Sequence, residues 1–413
     1  MVSASIYIKD DARLRAEAGI RYDFLAPDGS ESREAAEIIA ARNREFSAGL
    51  SSRDEYLDMK LAVEALSSGT NTVILDDRGL PSVMVLIPKM NSADLSPGLT
   101  PRAHPAFIVG GREHDTVAVG KYSSVIKDGR AYSLPLKDPS LGAVGSFDRH
   151  VAMSTEKGEG WGVTPYSLWG AIALFTKKNG TMPEGNTHYG QFNDDPKSRG
   201  IPAYTCVSPV DGETIVEGPT LTGSGPLSWF HNRRPDGIAD LCGNVGEWCT
   251  GFRWCNGELQ LIENADVMLP GCDTSASSPL WRSILPDGSL ASPGHPDSLK
   301  LYYRDGVWHL GTRVREASEE KVYGTMREMR LSDGLAEFPQ ILIELGFCPE
   351  RARSGAHYGN DVISGPVLSP EQIPCRGGGW YEYFFNCAGV FRSSFWYGRD
   401  IEGISSRLAY YKI

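Results

Sequence analysis

The C-terminal segment from Arg376 to Ile413 restricts the possible folds of this chain more than any other stretch. It is dense in aromatic residues, Arg, Ser, Asn and Gly, yet it shows neither the apolar spacing of an amphipathic helix nor the alternation of a half-buried strand. Arg392, Arg399 and Asp400 are interleaved with its crowded aromatic residues, which are Tyr381, Tyr383, Phe384, Phe385, Phe395, Trp396 and Tyr397. One core could hardly bury them all. Rigid aromatics with adaptable polar neighbours are typical of antibody paratopes, so the segment is predicted to be a binding surface rather than a terminal hairpin packed into the core.

Composition excludes several classes of protein. The length of 413 residues allows two or three domains, and 41% hydrophobic and 23% charged residues are typical of a folded globular protein. A net charge of -11 argues against nonspecific nucleic-acid or anionic-membrane binding, which needs a basic face. The longest apolar runs are strand-sized, so no membrane insertion is expected.

The charged N-terminal sequence and the sparse cysteines predict that the chain folds in the cytoplasm. The N-terminal sequence MVSASIYIKDDARLRAEAG places charges where a signal peptide needs an apolar region. Eight cysteines in 413 residues are too sparse for a disulfide scaffold. No CxxC pair suggests a zinc site.

Local patterns predict a small N-terminal region followed by a larger domain. Residues 20–67 read as two short helices, the second with Leu57, Leu61, Val63 and Leu66 at apolar spacing. Residues 69–90 read as a β-hairpin, and a domain boundary is predicted near residue 96.

Two further helices are predicted in the larger domain. One follows Thr164 as N-cap and Pro165 in the first turn, and it ends at Asn179-Gly180. The second lies within residues 332–345 and is interrupted or started around Pro339.

The sequence GIADLCGNVGEW, residues 237–248, resembles a signature of the formylglycine-generating enzyme family, roughly GLyDMxGNVWEW. Cys242 and Gly246 depart from that pattern. A tight turn is expected at Gly243-Asn244 and a buried apolar anchor at Trp248, with Glu247 hydrogen-bonding nearby backbone.

Further matches follow in the order of that family. RGGGW at residues 376–380 resembles the family's RGGSW, SRLA at 406–409 resembles its closing strand, and VAVGKYSSV and TPYSLWGAIALF resemble its opening strand and first helix. The resemblance implies an α+β protein with a C-type lectin fold. The implied organisation is an N-terminal attachment or oligomerisation region at 1–95 and a lectin-like domain at 96–413, with an insert at about 256–374.

Catalytic members of that family oxidise a cysteine with copper held by two cysteines after RGGS. In this chain, the position that corresponds to the second copper-binding cysteine is Cys387, and the position that corresponds to the first is Glu382. Because Cu(I) prefers thiolate ligands, this departure argues against the oxidase chemistry. No cofactor is therefore expected, although Asp236 and Asp240 are candidate ligands of a structural Ca²⁺.

The segment 376–411 also resembles the variable region of proteins diversified by retroelements, including phage receptor-binding proteins, especially at AGVF, residues 388–391. LKLYYRDGVWHLGT and FPQILIELGFCPE resemble the insert of phage and prophage members. Adenine mutagenesis cannot readily give Trp or Glu codons, so Trp380, Glu382 and Trp396 are expected to belong to the scaffold. The expected varied and exposed residues are Tyr381, Tyr383, Phe385, Asn386, Arg392, Ser394, Tyr397, Arg399 and Asp400.

These observations predict a non-catalytic ligand-binding protein. Its predicted binding residues are the nine varied ones together with Trp396. The expected partner is a protein or cell-surface receptor, the expected location a virion tail or a cell surface, and a homo-oligomer is allowed. The alternatives are a metal-dependent thiol oxidase of the same family and a calcium-dependent sugar-binding lectin.

Overall fold

The computed structural model describes residues 53–207, 214–216, 218–316, 320–351, 358–382 and 389–413. These residues form a mixed α+β structure with many strands and few helices, which confirms the class expected from the sequence. Among them, no helix combines the length and the apolar character needed to cross a bilayer.

The described helices are α1 (Arg53–Leu66), α2 (Ser92–Leu95), α3 (Phe147–Thr155), α4 (Tyr166–Asn179) and α5 (Gln340–Glu344). The described strands, in chain order, are β1 (Asn71–Leu75), β2 (Pro81–Pro88), β3 (Ile108–Val109), β4 (Arg112–Glu113), β5 (Thr116–Gly120), β6 (Ser124–Lys127), β7 (Arg130–Ser133), β8 (Trp161–Val163), β9 (Gln191–Phe192), β10 (Asp195–Arg199), β11 (Thr205–Val207), β12 (Thr214–Val216), β13 (Glu247–Trp248), β14 (Phe252–Cys255), β15 (Glu258–Leu261), β16 (Arg282–Ile284), β17 (Leu290–Ala291), β18 (Lys300–Arg304), β19 (Val307–Gly311), β20 (Val322–Thr325), β21 (Arg330–Leu331), β22 (Val362–Gly365), β23 (Gln372–Arg376), β24 (Ser393–Tyr397), β25 (Ser405–Ser406) and β26 (Leu408–Tyr410).

A five-stranded antiparallel sheet joins distant parts of the chain in the order β1-β2-β5-β26-β8. The strand β26 lies between β5 and β8, with Ala409 opposite Val119 on one side and Gly162 on the other. The predicted hairpin is present as β1 and β2, and β2 continues the sheet by pairing with β5. The boundary placed near residue 96 therefore falls in the connection between two neighbouring strands of one sheet.

A larger sheet contains the C-terminal segment at its centre. Its main path runs β20-β22-β24-β23-β14-β15-β18-β19-β21, so the strands of the predicted insert extend it on both sides of β23 and β24. The short strand β13 pairs with β23 and with β25, which sets Glu247 beside both Arg376 and Ser405. Residues from three separate sequence motifs are thus neighbours in one sheet.

Helix α4 runs through the core rather than along the surface. It ends at Asn179, and Gly180 closes it with a left-handed φ of +66°, as the sequence predicts. All residues from Tyr166 to Leu174 are buried. Gly170 is required there because a Cβ on it would lie 2.5 Å from the Leu345 carbonyl carbon after α5.

The predicted helices agree with the structure only in part. Thr164 does not cap α4, because its hydroxyl donates to the carbonyl oxygen of Arg407 at 2.9 Å. Helix α5 begins directly after Pro339, which confirms the predicted start. In α1, Leu57 and Leu61 are 48% and 62% exposed, and the first predicted N-terminal helix lies outside the described residues.

Candidate ligand-binding cleft

The turn at Gly243-Asn244 holds the start of the C-terminal segment. Both residues have left-handed backbone, with φ of +66° and +64°, which confirms the tight turn. The Gly243 amide donates to the carbonyl oxygen of Gly377 at 2.9 Å, and the Trp380 amide donates to that of Asn244 at 3.0 Å. The Asn244 side chain is fixed in turn, since its Oδ1 accepts from the Thr220 amide at 2.8 Å and its Nδ2 donates to the Thr220 carbonyl at 3.1 Å.

Glu247 and Arg407 form an ion pair in the core. Arg407 donates from Nε and Nη2 to the two carboxylate oxygens of Glu247 at 2.8 and 2.6 Å, and the side chains are 0% and 1% exposed. Its other N–H groups reach the carbonyl oxygens of Gly120 and Ala239. Burial raises the pKa of Glu247, and the Arg407 charge opposes that rise. The backbone hydrogen bond expected for Glu247 is not found among the described residues, and both carboxylate oxygens accept from the Arg407 guanidinium instead.

Arg376 ties the segment to helix α4. Its side chain is fully buried, and Nη1 donates to the Tyr166 hydroxyl at 2.6 Å and to the Ser393 hydroxyl at 2.7 Å. Nη2 donates to the carbonyl oxygen of Val390 at 3.3 Å. With Trp248 also fully buried, as expected for the apolar anchor, these contacts fix both β23 and the start of β24. Arg376, Arg407, Glu247, Tyr166 and Ser393 are called the frame below.

A cleft of about 270 Å³ opens beside the frame. Its lining comes from residues 244–246 of the turn, residues 378–382 after β23, and Arg392, Ser394 and Trp396 on or beside β24. The Cys375 thiol also lines it, and the Trp396 indole Nε1 donates to that sulfur at 3.2 Å. Burial raises the pKa of Cys375, so the thiol is protonated at neutral pH.

The two least buried tryptophans of the chain both line this cleft. The chain has nine, and those that are at most 5% exposed are Trp161, Trp169, Trp229, Trp248, Trp254, Trp281 and Trp308. The remaining two, Trp380 and Trp396, are half-buried, and both line the cleft. The Trp380 ring meets those of Tyr189 and Tyr381 edge to face at 5.0 and 5.2 Å between centroids. Exposed aromatic surface gathered in one place is typical of a recognition site.

One ion pair crosses the cleft wall. The carboxylate of Glu382 lies 2.7 Å from Nη1 of Arg392, with side chains 11% and 4% exposed. Arg392 Nε also donates to the Ser394 hydroxyl at 3.1 Å. The Lys321 Nζ lies 3.8 Å from the centroid of the Trp396 ring, so a cation already covers one face of that indole.

The predicted binding residues fall into three groups: exposed or half-buried residues, residues whose side chains the structure does not describe, and mostly buried residues. Tyr381 is 51% exposed, Asp400 is exposed, and Trp396 is half-buried at the cleft. Tyr397 is the last residue of β24, and the structure does not describe its side chain. Tyr383, Phe385 and Asn386 lie outside the described residues.

The expectation that Arg392, Ser394 and Arg399 face solvent is wrong. Arg392 and Ser394 are only 3% and 1% exposed, because Glu382 and the Ser364 hydroxyl provide internal partners. The Arg399 side chain is 11% exposed and pairs with Glu371 at 2.7 Å and with Asp148. Each side chain finds a charge or hydroxyl within the protein, which the sequence pattern alone cannot reveal.

The sequence patterns also missed Asp361. It is 5% exposed, and its Oδ2 accepts from the Phe391 amide at 2.7 Å. Burial raises its pKa to about 7, against the opposing charges of Arg376 and Arg392. Together with Glu382 it lines a second cavity, of about 330 Å³. No motif marks Asp361, because its contact with the Phe391 amide joins residues that are 30 positions apart in the sequence.

The candidate copper and calcium ligands that the structure describes have hydrogen-bond or ion-pair partners within the protein. Glu382, at the first copper position of the resemblance, pairs with Arg392 and does not fit Cu(I), and Cys387 lies outside the described residues. Asp236 accepts from Thr70 and Asn232 side chains, and Asp240 accepts from the Gly223 amide. Within the described ranges, no three or more His, Cys, Asp or Glu side chains are grouped to hold a metal ion. Cys249, Cys255, Cys272, Cys348 and Cys375 carry free thiols.

No protein-family model matches the chain, and no curated protein matches it significantly.

Proposed function

We propose that this chain is a non-catalytic binding protein whose segment 376–411 is diversified by a retroelement and presented on a C-type lectin fold of the formylglycine-generating-enzyme type. The observation that carries the proposal is the division of this segment. Its Arg376 and Arg407 side chains are fully buried, whereas Tyr381 is half exposed and Trp380 and Trp396 border an open cleft.

This division suits a surface that changes in sequence. The frame contacts reach back to α4 and β13, and the turn at Gly243-Asn244 bonds only backbone atoms of Gly377 and Trp380. None of these contacts involves an exposed side chain of the segment. Substitution of an exposed side chain therefore leaves the backbone supports intact. A diversified binding site requires such separation, because a new side chain at an exposed position does not have to fit into the core.

The described residues on either side of positions 383–388 have well-defined contacts. Before them, Glu382 pairs with Arg392 at 2.7 Å. After them, the Phe391 amide donates to Asp361 at 2.7 Å, and the Trp169 indole donates to the Val390 carbonyl at 2.7 Å. Supports on both sides are compatible with a segment whose sequence varies between fixed ends, as proposed for Tyr383, Phe385 and Asn386.

Recognition would rest on aromatic anchors that bury apolar area on a protein or cell-surface receptor. The proposed setting is a phage or prophage particle, where several copies would raise avidity without new contacts. The exposed leucines of α1, Leu57 and Leu61, support attachment or oligomerisation through the N-terminal region, because neighbouring exposed apolar side chains can form an interaction surface.

The test is to sequence this locus across many isolates or particles. We expect adenine-specific substitutions clustered between Trp380 and Arg407, at exposed positions such as Tyr381 and Asp400. Trp380, Glu382 and Trp396 should be spared, as should the buried Arg376. An invariant segment would overturn the proposal and favour the alternative of an enzyme, for which loss of turnover in Cys387→Ser would be the next measurement.

A further inference from the structure

Gly246 lines the cleft at a position where neither the backbone nor the neighbours demand glycine. Its φ is not left-handed. Among the described residues, the only atom that a Cβ built on it would meet within 4 Å is the Cys375 sulfur, at 3.4 Å, the near limit of ordinary van der Waals contact. Among described glycines without left-handed backbone, only Gly218 has as much room, its nearest atom being the Tyr204 Cβ at 3.6 Å. A larger side chain at position 246 would therefore extend into the cleft, and glycine leaves that space open.

The size of that space fits one side chain. The cleft volume of about 270 Å³ lies just below the roughly 300–1,000 Å³ of sites for drug-sized ligands. Its walls include the rings of Trp380, Tyr381 and Trp396. Rings attract another ring at centroid distances of roughly 4.5–7 Å, so the walls favour an aromatic guest.

The charges of the lining favour a neutral guest. Glu382 and Arg392 are the charged residues among the described lining, and they neutralise each other at 2.7 Å. An ion entering the cleft would lose hydration without gaining an unbalanced counter-charge. A cation is disfavoured further, because Lys321 already covers one face of the Trp396 ring.

We propose that the cleft is a subsite for one neutral aromatic side chain, a phenol or an indole, presented by the protein partner. The inference rests on the proposed function, because it assumes that a partner binds this surface. The guest ring packs against Trp380 and Trp396. Its O–H or N–H donates to the Glu382 carboxylate, whose two oxygens can accept several hydrogen bonds. Gly246 sets the size of guest that enters.

The experiment is a ¹⁹F NMR titration of the full-length protein with 5-fluoroindole and with 4-fluorophenol. We expect saturable line broadening with a dissociation constant on the order of 1 mM, as small fragments allow. Methylguanidinium at the same concentration should not displace either probe. Absence of saturation, or displacement by methylguanidinium, would overturn the inference.

Substitutions of increasing size at Gly246 test whether the probes bind in this cleft. In the series Gly246→Ala, Gly246→Val and Gly246→Phe, affinity should fall stepwise, by about 2-fold for Ala and by 10-fold or more for Phe, because each side chain fills more of the space. Leu280→Phe is the matched control: it adds the same ring at a residue 42% exposed and outside the lining, and its affinity should equal wild type. Thermal unfolding of each variant shows whether it folds, and the Ala and Val variants remain informative if Phe does not.

The two proposals fail separately. Unchanged affinity in both Gly246→Val and Gly246→Phe would overturn the aromatic subsite, while clustered substitution at the locus would still support a diversified surface. An invariant locus together with Gly246-dependent probe binding would overturn diversification and leave the cleft as a site for aromatic side chains.

Discussion

Four arginines of the C-terminal segment divide into two pairs with different surroundings. Arg376 and Arg407 are fully buried and bond to α4, β13 and backbone carbonyls. Arg392 and Arg399 are slightly less buried, with guanidinium groups that pair with Glu382 and Glu371 and side chains that are 4% and 11% exposed. Residue type is the same in both pairs, so the location of the partner decides whether an arginine belongs to the frame or to the less deeply buried ion pairs outside it.

The same contrast separates the aromatic residues. Phe391 and Phe395 are at most 1% exposed and pack in the core, whereas Trp380 and Tyr381 border the cleft. A single short segment thus contains both the supports and the surface of the proposed site. Variants of the two regions should therefore differ strongly in their effects on stability and on binding.

The largest expected effect follows from breaking the buried ion pair. Arg407→Met leaves the Glu247 carboxylate unpaired in the core, which should lower the free energy of unfolding by about 3–5 kcal/mol. Urea denaturation of the variant and the wild type measures this difference. A loss below ~1 kcal/mol would contradict the assignment of Arg407 to the frame.

A double variant serves as the control. In Arg407→Met with Glu247→Leu no charge is left unpaired, and apolar replacement of a buried pair is often neutral. Much of the lost stability should therefore return. If the double variant is as unstable as the single one, packing rather than the unpaired charge causes the loss.

A pH-dependent effect of up to ~4 kcal/mol is expected from Asp361. Its folded-state pKa of about 7 lies above the usual 3.8, so the folded state holds its proton more tightly. Stability should fall as pH rises from about 4 to 7, and the full cost of the buried carboxylate is present above pH 7. Asp361→Asn removes this cost, so its stability relative to wild type should increase over that window.

Denaturation at several pH values between 4 and 8 measures the Asp361 effect. The Asn side chain can still accept from the Phe391 amide, which wild-type Asp361 binds at 2.7 Å, so the contact itself is kept. A constant difference between variant and wild type at all pH values would show that Asp361 does not titrate in this range.

The sequence predicted most of what is local. The turn at Gly243-Asn244, the helix ending at Gly180 and the start of α5 after Pro339 all depend on residues adjacent in the chain, and all were confirmed. The partners of Glu247 and Arg399 were not predictable, because ion pairs form between residues far apart in sequence. Arg407 lies 160 positions from Glu247.

The candidate site was predictable in part for the same reason. An aromatic-rich segment indicates a surface, and the exposed Tyr381 and Asp400 agree with that expectation. The cleft itself needs the turn beside residues 378–382, and its opening depends on the missing side chain at Gly246. Sequence comparison with the resembling motif showed that Gly246 departs from the pattern, but the meaning of that departure is spatial.

An intermediate effect is expected at the cleft wall. Glu382→Gln keeps the shape of the side chain but removes the charge opposite Arg392, which retains its bond to the Ser394 hydroxyl at 3.1 Å. We expect a loss of about 1–2 kcal/mol, less than for Arg407, because the pair is partly exposed to solvent and retains some hydration. Urea denaturation is again the measurement.

Glu113→Gln provides the matched control for Glu382. Glu113 pairs with Lys89 at 3.0 Å, but its side chain is 54% exposed, so solvent screens the interaction and a loss below ~0.5 kcal/mol is expected. Equal losses in Glu382→Gln and Glu113→Gln would show that the ion pair at the cleft contributes no more to stability than an ordinary surface pair.

The smallest effect on stability, combined with a large effect on binding, is expected at the exposed residues. Tyr381→Ala and Asp400→Ala should each change the free energy of unfolding by no more than ~1 kcal/mol, as is usual for surface positions. Adsorption of the purified protein to host cells, measured by flow cytometry, should nevertheless fall at least about 10-fold in Tyr381→Ala, as for truncation of an aromatic anchor. A loss of stability above ~2 kcal/mol in both variants would make these residues part of the frame, and the separation of support from surface would then no longer explain how this segment tolerates change.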